Sequence, residues 1–132
     1  MGPGDESLVA AASHLFDEPT KDEATHRFLQ SEEHHLLIAY VDEEPVGFIS
    51  GVEITHPDKG TEMFLYELSV EEPFRRQGIG RMLTQRLKSV AEWRGCYGMW
   101  VVTDEGNDAA RATYEGSGGV PEHGQTVLVW TF

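Results

Sequence analysis

Two glycines and three arginines make SVEEPFRRQGIGRML (69–83) the stretch best suited to chemistry. Gly78 and Gly80 open an amphipathic segment, and Arg75, Arg76 and Arg81 surround them. The first turn of a helix leaves backbone N–H groups without intrahelical acceptors, and the positive end of the helix adds to their pull on an anion. Glycine lets the backbone approach a phosphate closely and take up dihedrals closed to other residues. Arginine adds long-range attraction and two-pronged hydrogen bonding. The pattern points to a pyrophosphate-binding turn; the competing reading is a tight strand-to-helix turn with surface arginines. It is not a Walker A loop, because Arg81-Met82 stands where Lys-Ser/Thr is required. It is not a dinucleotide fingerprint, because Leu83 occupies the place of the third small residue. The further motifs of a kinase are absent.

The elements around this turn follow from hydrophobic spacing. Residues 5–16 place Leu8, Val9, Ala12, Leu15 and Phe16 on one helical face, with Asp5 or Ser7 as N-cap and Pro19 ending the helix. Residues 21–33 read as a second helix, with Ala24, Phe28 and Leu29 on one side. Strands over 35–41 and 46–54 form a hairpin around DEEP, with Glu44-Pro45 as the turn. A breaker-rich loop over 56–60 leads to a strand over 63–70. A helix over 78–93 carries Ile79, Met82, Leu83, Leu87, Val90 and Ala91 as its apolar stripe and stops at Gly95. A strand over 97–103, a helix over 107–116 capped by Asn107 and a strand over 126–132 complete the order, with room for a short strand near 119–123. The expectation is one α/β domain over 1–132, with a mixed, mostly antiparallel central sheet flanked by helices.

The chain has 132 residues and a net charge of −13. Residues 1–72 carry −14, residues 73–94 carry +5 and residues 95–132 carry −4. The overall charge argues against a nucleic-acid partner, and the basic island coincides with the proposed anion turn. One cysteine, Cys96, excludes an internal disulfide framework. The start has no basic and apolar leader pattern, and no apolar run approaches a membrane span. These features predict a soluble cytoplasmic protein without membrane contact.

Arg75-Arg76-Gln77-Gly78-Ile79-Gly80 resembles the Arg/Gln-x-x-Gly-x-Gly/Ala loop of the GCN5-related N-acetyltransferases (GNATs). Asn107 to Glu115, NDAARATYE, resembles the family's N-x-x-A-x-x-x-Y segment, and the two motifs occur in the family's order. The resemblance covers about residues 5–132 and implies acetyl-CoA as co-substrate. It implies pyrophosphate contacts from Arg75, Arg76, Gln77, Gly78, Ile79, Gly80 and Arg81. It further implies that the pantetheine arm pairs with Leu68, Ser69 and Val70, and that Asn107 opens the flanking helix. A narrower resemblance, to aminoglycoside 3-N-acetyltransferases, rests on Met1-Gly2-Pro3, Tyr66-Glu67-Leu68 and Phe74 to Ile79. Against the family pattern, the first strand is missing or shortened, and Gly116–Gly124 (GSGGVPEHG) is glycine-rich.

The chemistry so implied is attack of a neutral amine on a thioester. An amine with pKa near 10 must first lose a proton. Glu67 is the expected base, with Glu53 in reserve. Strict alternation puts Glu67 on one face with Met63, Leu65 and Ser69, opposite Phe64, Tyr66, Leu68 and Val70. Tyr114 is the expected donor to the departing thiolate. His34 and His35 point to opposite faces of a strand and no other histidine has ligand spacing, so no metal is expected. Cys96 is expected to pack, and Trp93, Trp100 and Trp130 to lie in the core or at a dimer surface. The expected acceptor is a small cationic amine, aminoglycoside-like or a polyamine, and a homodimer is possible. A protein or peptide amine and a non-catalytic acyl-CoA-binding role are the alternatives.

Overall fold

Apolar runs rich in β-branched and aromatic residues, separated by Asp42-Glu43 and by Pro57-Asp58-Lys59, make 34–70 three long strands. The computed structural model describes residues 1–132. Strands β1 (His34–Val41), β2 (Glu44–His56) and β3 (Gly60–Val70) pair antiparallel as a meander. Strand β4 (Met99–Trp100) joins the free edge of β3 in parallel, giving the order β1-β2-β3-β4. Helix α1 (Glu6–Ala11) and a 3-10 turn (Ser13–Leu15) precede α2 (Asp22–Gln30). Helix α3 (Ile79–Trp93) crosses from β3 to β4, and α4 (Asp108–Gly116) follows. The result is the expected α/β sheet flanked by helices. No helix is long and apolar enough to cross a membrane.

Two cores lie on opposite faces of the sheet. Ile49, Met63 and Leu65 pack against Leu83, Leu87 and Ala91 of α3. Leu36 and Phe48 pack against Val9, Ala12, Leu15 and Leu29 on the α1–α2 side. Phe16 stacks on Phe48 there, with ring centroids 4.1 Å apart. The α3 stripe is as expected except at Met82, which is exposed.

The pairing of β2 with β3 slips by one residue. Ser50 faces Glu67 and the adjacent Gly51 faces Leu65, so Tyr66 is an extra residue in β3. Such a bulge resets the alternation of side chains. Met63 and Leu65 therefore point toward α3, whereas Glu67, beyond the bulge, points toward α1 and α2 beside Ser50 and Phe48. This corrects the face expected for Glu67, because a strict period of two cannot cross a bulge.

Other expectations change locally. The β1–β2 turn is Asp42-Glu43, both at positive φ (49 and 69), and Pro45 lies within β2. A two-residue turn with both residues left-handed matches strand twist better than a turn at Glu44-Pro45. Asp5 precedes α1, yet its carboxylate accepts the Gly2 N–H at 2.7 Å instead of capping the helix, and Ser7 lies inside it. The strand expected over 97–103 contracts to Met99–Trp100. Residues 119–123 and 126–132 form no strand. Val127, Leu128, Val129, Trp130 and Phe132 are exposed. A strand needs a ladder partner, and the two-residue β4 gives this segment no edge to pair with.

Gly47 lies where β2 leaves no room for a side chain beside β3. A Cβ there would lie 2.9 Å from the Ser69 carbonyl oxygen, a backbone atom that cannot step aside. Gly47→Ala is expected to destabilise the fold by about 1–3 kcal/mol, measured by urea unfolding. A parent-like midpoint would show that β3 yields at this point.

Candidate functional site

The site grows from the place where β3 and β4 part. They are paired only at Met63–Met99 and Phe64–Trp100, after which β3 runs on to Val70 without a neighbour on that side. Leu68, Ser69 and Val70 occupy this unpaired end, each partly buried, with Leu68 against the α3 core. A free strand edge presents N–H and C=O groups to an extended ligand.

The turn from β3 into α3 begins where this edge ends. Arg75 Nε donates to the Val70 carbonyl oxygen at 2.8 Å, and Gln77 Nε2 to the Pro73 carbonyl oxygen at 3.3 Å. Arg76 and Gly78 both have positive φ, 63 and 84. The backbone N–H groups of Gly78, Ile79, Gly80 and Arg81 have no acceptor within the protein, and the first bond closing the helix is Met82 N–H to Gly78 at 2.9 Å. Gly78 has open space where a Cβ would stand. A Cβ on Gly80 would lie 3.4 Å from Thr113 Cγ2, so this glycine sets how closely α3 meets α4. A Cβ on Gly116 would lie 3.8 Å from Arg81 Cζ, which places that guanidinium at the C-terminal end of α4, where a cation is favoured. Four free donors, an open glycine and flanking arginines fit a pyrophosphate. Asn107 caps α4, its Oδ1 accepting the Ala110 N–H at 3.1 Å.

Two cavities lie on either side of β3. One, of about 290 Å³, lies under the α3–α4 side and is lined by Leu65, Thr84, Val101 and Tyr114. Burial pushes the Tyr114 phenol above its ordinary pKa. The other, of about 280 Å³, lies between the sheet and α1–α2. Val9, Phe16, Phe28 and Leu36 form its apolar walls, and Ser50 and Glu67 its polar wall on the sheet. Burial, with the Asp17 carboxylate adding like-charge repulsion, holds the Glu67 carboxyl above its ordinary pKa. Glu67 and Tyr114 thus line different cavities. Ser50 was not foreseen as a site residue. Its signal in the sequence was a hydroxyl inside the apolar run VGFIS.

Glu53 belongs elsewhere. His35 Nε2 and Arg94 Nε each lie 2.7 Å from its Oε2, where the side chain is almost fully buried. Burial pushes its carboxyl up, but hydrogen bonds from His35 and Arg94 outweigh this and hold it below the ordinary value. His34 turns away to share a hydrogen bond with the Ser31 hydroxyl at 2.9 Å. Cys96 is half-buried, and burial together with the Glu53 charge raises its thiol pKa. Trp93, Trp100 and Trp130 are all exposed and outside the core, Trp100 with its ring stacked on Phe64 at 4.2 Å.

The chain is thus an α/β protein built on an antiparallel meander, joined in parallel by a fourth strand that splays away, with a glycine turn opening the crossover helix. The profile of the Acetyltransferase (GNAT) family matches residues 6–118, and the chain belongs to that family. A [ribosomal protein bS18]-alanine N-acetyltransferase of Salmonella typhimurium is 39% identical over 57 residues, 43% of this chain and 38% of the relative. The match thus spans well under half the length of that curated relative. An aminoglycoside acetyltransferase from an uncultured soil metagenomic sample, solved with sisomicin, superposes with TM-score 0.90 at 17% identity, covering 100% of this chain and 93% of that one. AAC(6')-Iy, solved with the bisubstrate analogue CoA-S-monomethyl-acetylneamine, gives TM-score 0.78 at 19% identity over 99% and 93%. At these identities the two structures establish a shared fold.

Because the Glu53 carboxyl has a lowered pKa, its contribution to stability is present above its unfolded value of about 4.3 and is lost as pH falls through the folded value. Arg94→Met is expected to lower stability near neutral pH, with the deficit shrinking on acidification. Urea unfolding across a pH series checks this, and a deficit independent of pH would contradict it.

Proposed function

We propose that the chain transfers the acetyl group of acetyl-CoA to a primary amine of a small cationic acceptor, aminoglycoside-like or a polyamine. The observation carrying this reading is Glu67, a partly desolvated carboxylate on the wall of a cavity beside the unpaired end of β3. In this reading the N–H groups of Gly78 to Arg81, with Arg75, Arg76 and Gln77, hold the pyrophosphate. The edge Leu68-Ser69-Val70 pairs with the pantetheine arm, and Asn107 fixes the start of the helix that flanks it. Acetyl-CoA supplies the acyl group as an activated thioester. Glu67 takes a proton from the acceptor nitrogen, which its raised pKa favours. Tyr114, on the other side of β3, donates toward the sulfur as it leaves. Asp17 and Glu18 together with Glu67 outnumber Lys21 around this cavity, which favours a cation there.

The neighbours solved with sisomicin and with a CoA–neamine conjugate support a small amine acceptor. The identity to a ribosomal-protein-alanine acetyltransferase supports a second reading, a peptide α-amine. Acetyl transfer to a panel of aminoglycosides, polyamines and an alanine-initiated peptide, followed as CoA-thiol release, separates the two. Turnover only on the peptide would overturn the first reading.

Glu67→Gln is expected to lower kcat roughly 10²–10⁴-fold, and Tyr114→Phe to lower it with CoA affinity retained. With the parent, kcat/KM rises with pH along a limb whose midpoint lies above the ordinary carboxylate range, because the base acts deprotonated and its pKa is raised. Glu67→Gln removes that limb. Parent-like profiles in both variants would refute the assigned roles.

Gly78→Asp sets a carboxylate at the four free N–H groups and imposes φ 84 on a residue with a side chain. It is expected to weaken CoA binding by tenfold or more, about 1.4 kcal/mol, in calorimetric titration. Undiminished affinity would move the pyrophosphate site elsewhere.

A further inference from the structure

The Ser50 hydroxyl is the one polar side-chain atom of the α1–α2 cavity wall that is both sealed from water and without a hydrogen-bond partner. Ser50 is 5% exposed, and its Oγ makes no hydrogen bond. An unpaired buried hydroxyl costs about 1–3 kcal/mol, so its persistence in a well-packed strand points to a partner that arrives from outside. Its position narrows what that partner is. Ser50 stands directly across from Glu67 in the β2–β3 register, at the last pair before the slip. Directly opposed residues of an antiparallel pair have Cβ atoms about 4.5–5.5 Å apart on one face. Hydroxyl and carboxylate therefore line the same cavity as neighbours, with Phe16, Phe28 and Leu36 as its apolar walls. The nearby Thr20 hydroxyl is already engaged with Ser13 Oγ, at 3.3 Å.

We propose that Ser50 is a specificity-determining residue that, together with Glu67, seats the acceptor nitrogen. The inference rests on the reading of this cavity as the acceptor site. A primary amine at the moment of attack has one lone pair and two N–H bonds. The lone pair must face the acyl carbon, where the N–C bond forms as the C–S bond breaks and its electron pair leaves on sulfur. One N–H points to the Glu67 carboxyl oxygen that does not carry the proton already taken from the ammonium, and the proton shed as the amide forms balances the one that Tyr114 gives to the departing sulfur. The other needs an acceptor, and Ser50 Oγ provides it. A nitrogen with a single N–H satisfies Glu67 or Ser50 but not both, so the pair selects primary over secondary amines. The apolar walls favour a slender alkyl stem between that nitrogen and any second charge.

The test is calorimetric titration of the CoA-loaded protein with 1,4-diaminobutane, comparing the parent, Ser50→Ala and Ser50→Thr. Ser50→Ala is expected to weaken diamine binding about tenfold, the loss of one charge-assisted hydrogen bond. Ser50→Thr retains the hydroxyl and is expected to stay within about threefold of the parent. In Ser50→Ala the CoA affinity is expected to be unchanged and the thermal midpoint to rise, because the unpaired hydroxyl is removed; weaker diamine binding in a more stable protein separates seating from a merely structural role. Parent-like diamine affinity in Ser50→Ala overturns the Ser50 assignment while leaving the acceptor cavity standing. Absence of diamine binding to the parent overturns both.

Discussion

One extra residue in a strand organises this molecule. Tyr66 has no opposite number in β2, so the alternation of β3 is reset between Leu65 and Glu67. Before the reset, Met63 and Leu65 fill the α3 core; after it, Glu67 turns to the opposite face and Leu68 takes up the packing. Without the slip, Glu67 would be driven into the most tightly packed layer, where an unpaired carboxylate is not tolerated. With it, the carboxylate reaches a cavity and sits beside Ser50. A bulge at this point does what bulges do near functional sites, re-aiming one side chain and leaving the sheet on either side intact.

The sheet also acts as a partition. The glycine turn with its free N–H groups, the unpaired end of β3 and Tyr114 belong to the α3–α4 side, and Glu67 with its acidic surroundings belongs to the α1–α2 side. The charge along the chain follows this division: the +5 segment is α3 and the turn before it, and the −14 segment supplies the helices and strands around Glu67. In the proposed function, a donor with phosphates and a cationic acceptor would each be drawn to a different side. The parting of β3 and β4 after two residue pairs leaves the opening between them. Glu53, tied to His35 and Arg94 at the other end of the sheet, holds the end of α3 to β1 and β2 and has no share in either cavity.

The helices, the hairpin and the glycine turn were legible because their causes are local. The stripe Leu83, Leu87, Ala91 has a period set by the helix itself, Gly95 terminates α3 with φ 83, and Asn107 caps α4 through a bond three residues long. The segment 126–132 was misread for the opposite reason. Val127, Leu128, Val129 and Trp130 have strand propensity, but a strand exists only when another edge completes its hydrogen bonds. Residues 97–103 contract to β4 because only Met99 and Trp100 stay against β3; beyond them the chain parts from an edge of β3 that is left free.

The sequence by itself determined the fold class, the glycine turn that opens α3 and the types of residue available for acid–base chemistry. Those depend on periodicity, glycine placement and charge, all of which act over a few residues. Only the tertiary structure decided which way Glu67 points, that Glu53 is held in an ion pair, and that Ser50 faces Glu67 with its hydroxyl unpaired. Each of these is a relation between chain segments distant in sequence: the first and last are set by the register in which β2 and β3 pair, and the second by how β1 and the end of α3 meet β2. A register with a one-residue slip leaves no mark in the period of either strand read alone.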